Sequence, residues 1–271
     1  MQPEIRRFAI VMTALGTLRE VWQLRRAWWF TATARTKARF ARTVLGSFWL
    51  GLSNLLSIAV LALVYGTVFK VQNFSVYVVY LGLGLVVWNA ISAAISSAPN
   101  LFEHNAAHIH NTNTNPIFYA LEEWAFQLQT FMQSFALVLL ALLFFQGDLV
   151  LNLLLYGWLP LLNLALFCFW VPLLICLWGA QYRDLYQLVP IVLQLAFLLS
   201  PILYFKKNLG SFAWTAEMNP LFQVLNPIRE SLMHGHLDLG SALLVLFINL
   251  LGIVYACFRL ETKRSQLPFM I

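Results

Sequence analysis

The chain has 271 residues, of which 61% are hydrophobic and 10% charged, where soluble domains carry about 45–50% and about 25%. No soluble fold of this size has an interior large enough for that apolar surface, and 17 basic against 11 acidic residues do not form the water-facing basic patch of a nucleic-acid binder. Cys168, Cys176 and Cys257 lie in apolar runs with no CxxC spacing, which excludes a disulfide framework and a zinc-ribbon site.

Residues 8–16 form a short apolar stretch behind Arg6 and Arg7. It leads into Arg19 and Glu20 without a small-residue cleavage pattern, so a cleaved signal peptide is not expected. Residues 17–42 predict an amphipathic helix in the cytoplasmic interface. Leu18, Val21, Trp22, Trp28 and Trp29 recur at helical spacing, while Arg35, Arg39 and Arg42 share a face. Trp at headgroup depth with basic residues reaching phosphates is how such a helix holds a membrane surface. Arg35, Lys37, Arg39 and Arg42 are also candidates to guide an anionic lipid headgroup toward the first span.

Charge-free runs long enough to cross the hydrocarbon core, about 20 residues, predict six transmembrane helices near residues 44–69, 76–98, 124–146, 153–180, 185–205 and 239–258. The third and fourth are separated only by Gln146-Gly147-Asp148, which requires a tight hairpin, and Pro160 and Pro172 predict kinks in the fourth. These spans contain no ionisable side chain, so a proton-coupled path is not expected. An even number of spans puts both termini on one side. Thirteen basic residues fall on that side and four (Lys70, Lys206, Lys207 and Arg229) on the other, so the positive-inside rule predicts cytoplasmic N- and C-termini.

Two segments lie outside the spans. Residues 99–123 hold Glu103, His104, His108, His110, Glu122 and Glu123 but no Lys or Arg, and read as a cytoplasmic segment that docks on another protein, with no metal expected. Residues 206–238 are external and mostly apolar, broken by Asn219-Pro220 and Asn226-Pro227. They predict short re-entrant helices, because irregular backbone at membrane depth must be covered by protein or line a cavity.

None of the 13 glycines is followed by Lys, so the phosphate-cradling loop of nucleotide hydrolases is absent. Glu122-Glu123 and Arg183-Asp184 are the only close candidates for acid–base chemistry, and Arg183-Asp184 reads more simply as a local ion pair at a helix end. The 22 Phe, 10 Trp and 9 Tyr offer stacking faces for sugar rings. Trp49, Tyr65, Phe69, Trp88, Phe197, Tyr204 and Phe205 are the candidates for a glycan path.

Four stretches carry a family likeness. Arg39-Phe40-Ala41-Arg42-Thr43-Val44-Leu45-Gly46-Ser47-Phe48-Trp49 resembles the signature at the start of type-2 ABC exporter permeases. Gly84 followed by Trp88, then Arg183-Asp184-Leu185 with Ser200-Pro201-Ile202 and Tyr204, then Asn219-Pro220-Leu221 with Arg229, resemble later elements of the same family in the same order. The nearest likeness is to its polysaccharide-export branch.

The resemblance implies an all-α integral membrane fold: an interfacial helix, six transmembrane helices, and external re-entrant gate helices between the fifth and sixth. It implies a homodimer in a bacterial inner membrane with a separate ABC ATPase dimer on the cytoplasmic side. The chain itself is then no enzyme and holds no cofactor, ATP and Mg being bound by the partner, and the cargo is a lipid-linked O-antigen-like glycan. Glu103, His104, His108 and His110 occupy the position that contacts the ATPase. Asn219, Pro220, Asn226, Pro227 and Arg229 occupy that of the external gate. An ABC permease for a drug or simple lipid is the first alternative, and an integral-membrane transferase using Glu122, Glu123 or Asp184 the second.

Overall fold

A computed structural model describes residues 21, 23–111 and 114–271. The expectations for Arg6, Arg7, residues 8–16, Leu18, Arg19 and Trp22 lie outside the described residues. Among those described there are helices and turns and no strand. In chain order the helices are α1 (Arg25–Phe40), α2 (Phe48–Val68), α3 (Phe74–Ser96), α4 (Leu101–His104), α5 (Ala106–Asn111), α6 (Ile117–Leu142), α7 (Leu149–Gly179), α8 (Leu185–Leu199), α9 (Ala213–Glu217), α10 (Pro220–His234) and α11 (Leu239–Lys263).

Five of these, α2, α3, α6, α7 and α11, are long and apolar enough to cross a membrane. The fifth expected span differs. Residues 185–205 were expected to cross, but α8 stops at Leu199 after 15 residues, a rise of about 22 Å at 1.5 Å per residue. Ser200 turns to extended backbone and Pro201 follows, and a residue before proline is pushed out of the helical region.

The centre of the bundle is α3. Its residues from Tyr77 to Trp88 are buried on every side, which is what a helix apolar all round its circumference requires. Helices α2, α6, α7, α8 and α10 pack against it. By contrast α2 and α11 leave most of their apolar surface exposed.

Pro160 stands one residue pair beyond an irregular turn of α7. A single π-helical turn at Leu153–Gly157 immediately precedes it, and the wider turn relieves the clash between a proline ring and the carbonyl one turn back. Polar side chains then fix helix positions at membrane depth. Asn163 donates to the Ala242 carbonyl (3.0 Å), Asn249 donates to the Asn163 carbonyl (3.2 Å), and Trp170 donates to Asn249 Oδ1 (2.9 Å), joining α7 to α11.

The turn between α6 and α7 is held by the end of α10. Gln146 donates to the Met233 carbonyl and Asn152 to the Leu232 carbonyl, at 2.7 and 2.8 Å. There α10 ends at Gly235, whose positive φ of 60° is the left-handed cap glycine supplies without strain. Asp238 caps α11, and the hydroxyl of Ser241 with the Ser241 and Gly240 amides holds its carboxyl below the usual value.

Candidate functional site

Five helices, α1, α2, α3, α4 and α6, converge on a cavity of about 740 Å³ that they line. Its charged wall is built by α1 docking on α6. Ala32 is buried against Ala125 and Phe126, Trp28 packs on Trp124 at 6.1 Å, and Gln129 donates to Thr33 Oγ1 at 3.0 Å. This packing brings Arg35 over the Phe126 ring (4.4 Å) and onto two carboxylates, Glu123 at 2.8 Å and Glu122 at 3.7 Å. The helix α6 begins at Ile117, ahead of the span expected near residues 124–146, and so carries both glutamates in reach of α1.

Of the four basic residues proposed for an anionic headgroup, Arg35 is therefore already engaged, while Lys37, Arg39 and Arg42 are exposed. Arg39 lines the cavity with Arg35. Deeper in, Asn89 of α3 donates to Asn54 Oδ1 (2.6 Å), and Asn54 of α2 donates to Ser134 of α6 (2.5 Å). This network was not anticipated, because only ionisable residues were sought inside the apolar runs. The signal available was each lone Asn within an otherwise apolar stretch.

A second space, a groove of about 380 Å³, lies between α3 and α8. Trp88 and Phe197 meet there with ring centres 5.5 Å apart, beside Asn89, Ser92, Ser96 and Gln194. Asn89 and Ser96 line both spaces, so the two adjoin along α3.

The remaining candidate aromatics separate into groups. Tyr65 stacks on Phe69 (5.6 Å) and Phe69 meets Tyr204 edge-on (6.5 Å). Phe205 packs on Tyr77 and Tyr80 at 5.8 and 4.6 Å, and Trp49 is exposed at the start of α2. The structure thus joins Trp88 to Phe197 and Tyr65 to Phe69 and Tyr204, but gathers no single aromatic lining.

Asn219 caps α10, accepting from the Leu221 amide (3.0 Å) and donating to Ser200 Oγ (2.7 Å), with Pro220 in the first helical position. Proline is suited there because that amide has no helical partner. Pro227 lies inside α10, and Asn226 and Pro227 border a separate space of about 290 Å³ between α7, α10 and α11. Arg229 is 1% exposed. Its guanidinium lies over the Tyr80 ring (3.7 Å) and donates from Nη1 to the Pro201 carbonyl (3.0 Å), while Nε and Nη2 have no partner. Gly84 of α3 makes the space, since a Cβ there would collide with Nη2.

The 99–123 segment folds as α4 and α5 ahead of α6. His104, His108 and His110 are exposed, whereas Glu103 turns inward. It accepts from the Tyr186 hydroxyl of α8 and from Arg183 Nη2 (3.2 Å). Arg183 was expected to pair locally with Asp184; it pairs with Glu103, eighty residues away. Among the described residues no three His, Cys, Asp or Glu side chains assemble into a metal-binding arrangement.

Five membrane-length helices, with polar spaces opening beside the central one, define a multi-pass membrane protein. Residues 30–233, three quarters of the chain, match the membrane family described as ABC-2 type transporter, and the chain belongs to that family. Members of it are permease subunits of ABC transporters and work in the membrane with an ATPase partner. No curated protein matches the chain.

Proposed function

We propose that this chain is the permease subunit of an ATP-driven exporter for a lipid-linked polysaccharide. The observation that carries this reading is the groove between α3 and α8, where Trp88 and Phe197 lie beside Asn89, Ser92, Ser96 and Gln194. A sugar ring has an apolar C–H face and a hydroxyl edge, and an aromatic pair flanked by amides and hydroxyls matches both. A path for a small apolar drug has no need of the amides.

In this reading two copies of the chain pair with α2, α3 and α8 toward the shared path, in a bacterial inner membrane, with both termini cytoplasmic. The fifth crossing is α8 continued by residues 200–205, and residues 206–238 dip into the outer leaflet as the gate, α10 being its main helix. Lys37, Arg39 and Arg42, with Arg35 held behind them, draw the lipid pyrophosphate to the cytoplasmic leaflet. A separate ATPase dimer, binding ATP and Mg, docks on the exposed face of α4 and α5 that carries His104, His108 and His110. The pairing of Glu122 and Glu123 with Arg35 disfavours the transferase alternative at those two residues and leaves it only Asp184 as an acid or base.

Glu103 supplies the link from that docking face to α8. Glu103→Gln or Tyr186→Phe, studied in the assembled transporter, is expected to keep ATP hydrolysis while export falls about tenfold, the size of a typical coupling energy between sites. Equal loss of both activities, or of neither, contradicts the link. The function itself is tested by deleting the gene in its host and locating the lipid-linked glycan. Build-up on the cytoplasmic side, reversed by the chain only together with its ATPase, is the expected result. Normal surface glycan without build-up removes the polysaccharide reading.

A further inference from the structure

The 740 Å³ cavity is separate from the α3–α8 groove and lies within a single copy of the chain. It falls in the size range of small-ligand sites, about 300–1,000 Å³, yet its wall is unusual for a membrane protein in being dominated by Ser, Thr, Asn and Gln. Its charges cancel: Arg35 and Arg39 stand against Glu122 and Glu123. A pyrophosphate brings only acceptors and negative charge, and would meet two carboxylates there.

The hydroxyl protons of the wall are used within it. Ser53, Ser96 and Ser97 donate to backbone carbonyls in their own helices, of Leu50, Ala93 and Ala94, at 3.1, 3.3 and 3.3 Å. Thr130 does the same to Phe126, and Asn105 and Gln127 each give one amide proton, to the Leu101 carbonyl and to Glu123. The hydroxyl oxygens and the amide oxygens of Asn105 and Gln127 remain to accept, and the second proton of each amide remains to donate. A wall that accepts and donates and carries no net charge favours an uncharged ligand that does both, as a sugar hydroxyl does.

We infer that this cavity binds an uncharged polyhydroxylated group, a sugar ring of the lipid-linked cargo, and that it reads the sugar rather than the phosphate. The inference rests on the glycolipid reading above and adds a recognition step ahead of the translocation path. Ser96, on the wall of both spaces, marks where a bound ring passes from one to the other. Asn54, Asn89 and Ser134 bridge three helices, and their substitution tests packing as much as binding. Ser53 and Ser96 bond only within their own helices and are the residues to alter.

The test uses the full chain in phosphatidylglycerol nanodiscs with Ser53→Cys as a reporter of maleimide labelling, the native chain giving the background. The probes are a prenyl pyrophosphate carrying N-acetylglucosamine, the same prenyl pyrophosphate without sugar, and phosphatidylethanolamine added to the disc. At ten times its Kd the sugar-bearing probe leaves about a tenth of sites empty, so labelling is expected to slow about tenfold. The sugarless lipid and phosphatidylethanolamine are expected to leave the rate unchanged. Adding Ser96→Leu, which narrows the cavity without removing an interhelical bond, is expected to abolish the protection. Equal protection by the sugarless lipid, protection by phosphatidylethanolamine, or no protection by any probe overturns the inference. If the deletion host recovers surface glycan while Ser53→Cys stays unprotected, the cavity assignment fails and the export reading stands; if it recovers none, the export reading itself fails.

Discussion

Gly84→Ala is expected to destabilise the protein by about 1–3 kcal/mol, the usual cost of forcing extra volume into a packed interior. The added methyl meets Arg229 Nη2, the end of a side chain wedged between the Tyr80 ring and the Pro201 carbonyl. Arg229 cannot swing away, because it is buried on every side. Arg229→Met has the opposite expectation. It removes a desolvated cation with two unpartnered nitrogens and fills the same slot with an apolar chain, a replacement that is often neutral or stabilising. The pair makes a cycle: in the Arg229→Met background Gly84→Ala is expected to lose most of its cost. Thermal unfolding in detergent measures all four proteins, and additive effects would show that the collision is not the cause. Arg229→Met is also expected to impair export while it spares stability if Arg229 serves the gate.

Arg35→Ala is expected to release α1 from α6. The substitution deletes one cation facing two adjacent carboxylates and the ring of Phe126. Glu122 and Glu123 side chains are 18% and 10% exposed but that of Arg35 is 46% exposed. Screening therefore lowers the full cost of breaking a buried pair to about 1–2 kcal/mol. Arg35→Lys is expected to recover only part of it, since a point charge cannot span two carboxylates as a planar guanidinium does. Protease cleavage within α1, followed by peptide mass, reads the release. Glu122→Gln combined with Glu123→Gln is expected to rescue Arg35→Ala; failure of that rescue would show that packing of Trp28 and Ala32 holds the helix and the charges do not.

The helical class and the long membrane segments were legible because apolar runs are local signals. So was the start of α10, where Asn-Pro supplies both cap and first residue. Charge marked the start of the third span near residue 124, whereas α6 begins at Ile117, and the counter-charge that lets Glu122 and Glu123 lie in its packed first turns comes from Arg35, 88 residues before Glu123. The same distance effect hid the pairing of Arg183 with Glu103. The truncation of α8 was missed because hydropathy continues through Leu203, Tyr204 and Phe205 while Ser200-Pro201 ends the helix. Of the candidate site, Trp88 and Phe197 stood among the seven aromatics proposed for a path and meet in the structure, but the amides around them were not named, since a single Asn in an apolar run has no periodicity to reveal it.

The length of α8 bears on the bilayer itself. A rise of about 22 Å stands against a hydrocarbon core of about 30 Å, and such a mismatch is relieved by local thinning or by polar backbone entering one leaflet. At α8 the backbone that can enter is the turn through Ser200, Pro201 and Ile202, where the Pro201 carbonyl already accepts from both Arg229 and Tyr80. A helix of this length crosses alone only where the oily barrier is several ångströms shallower. A polar headgroup crossing at such a place faces a correspondingly smaller dehydration cost.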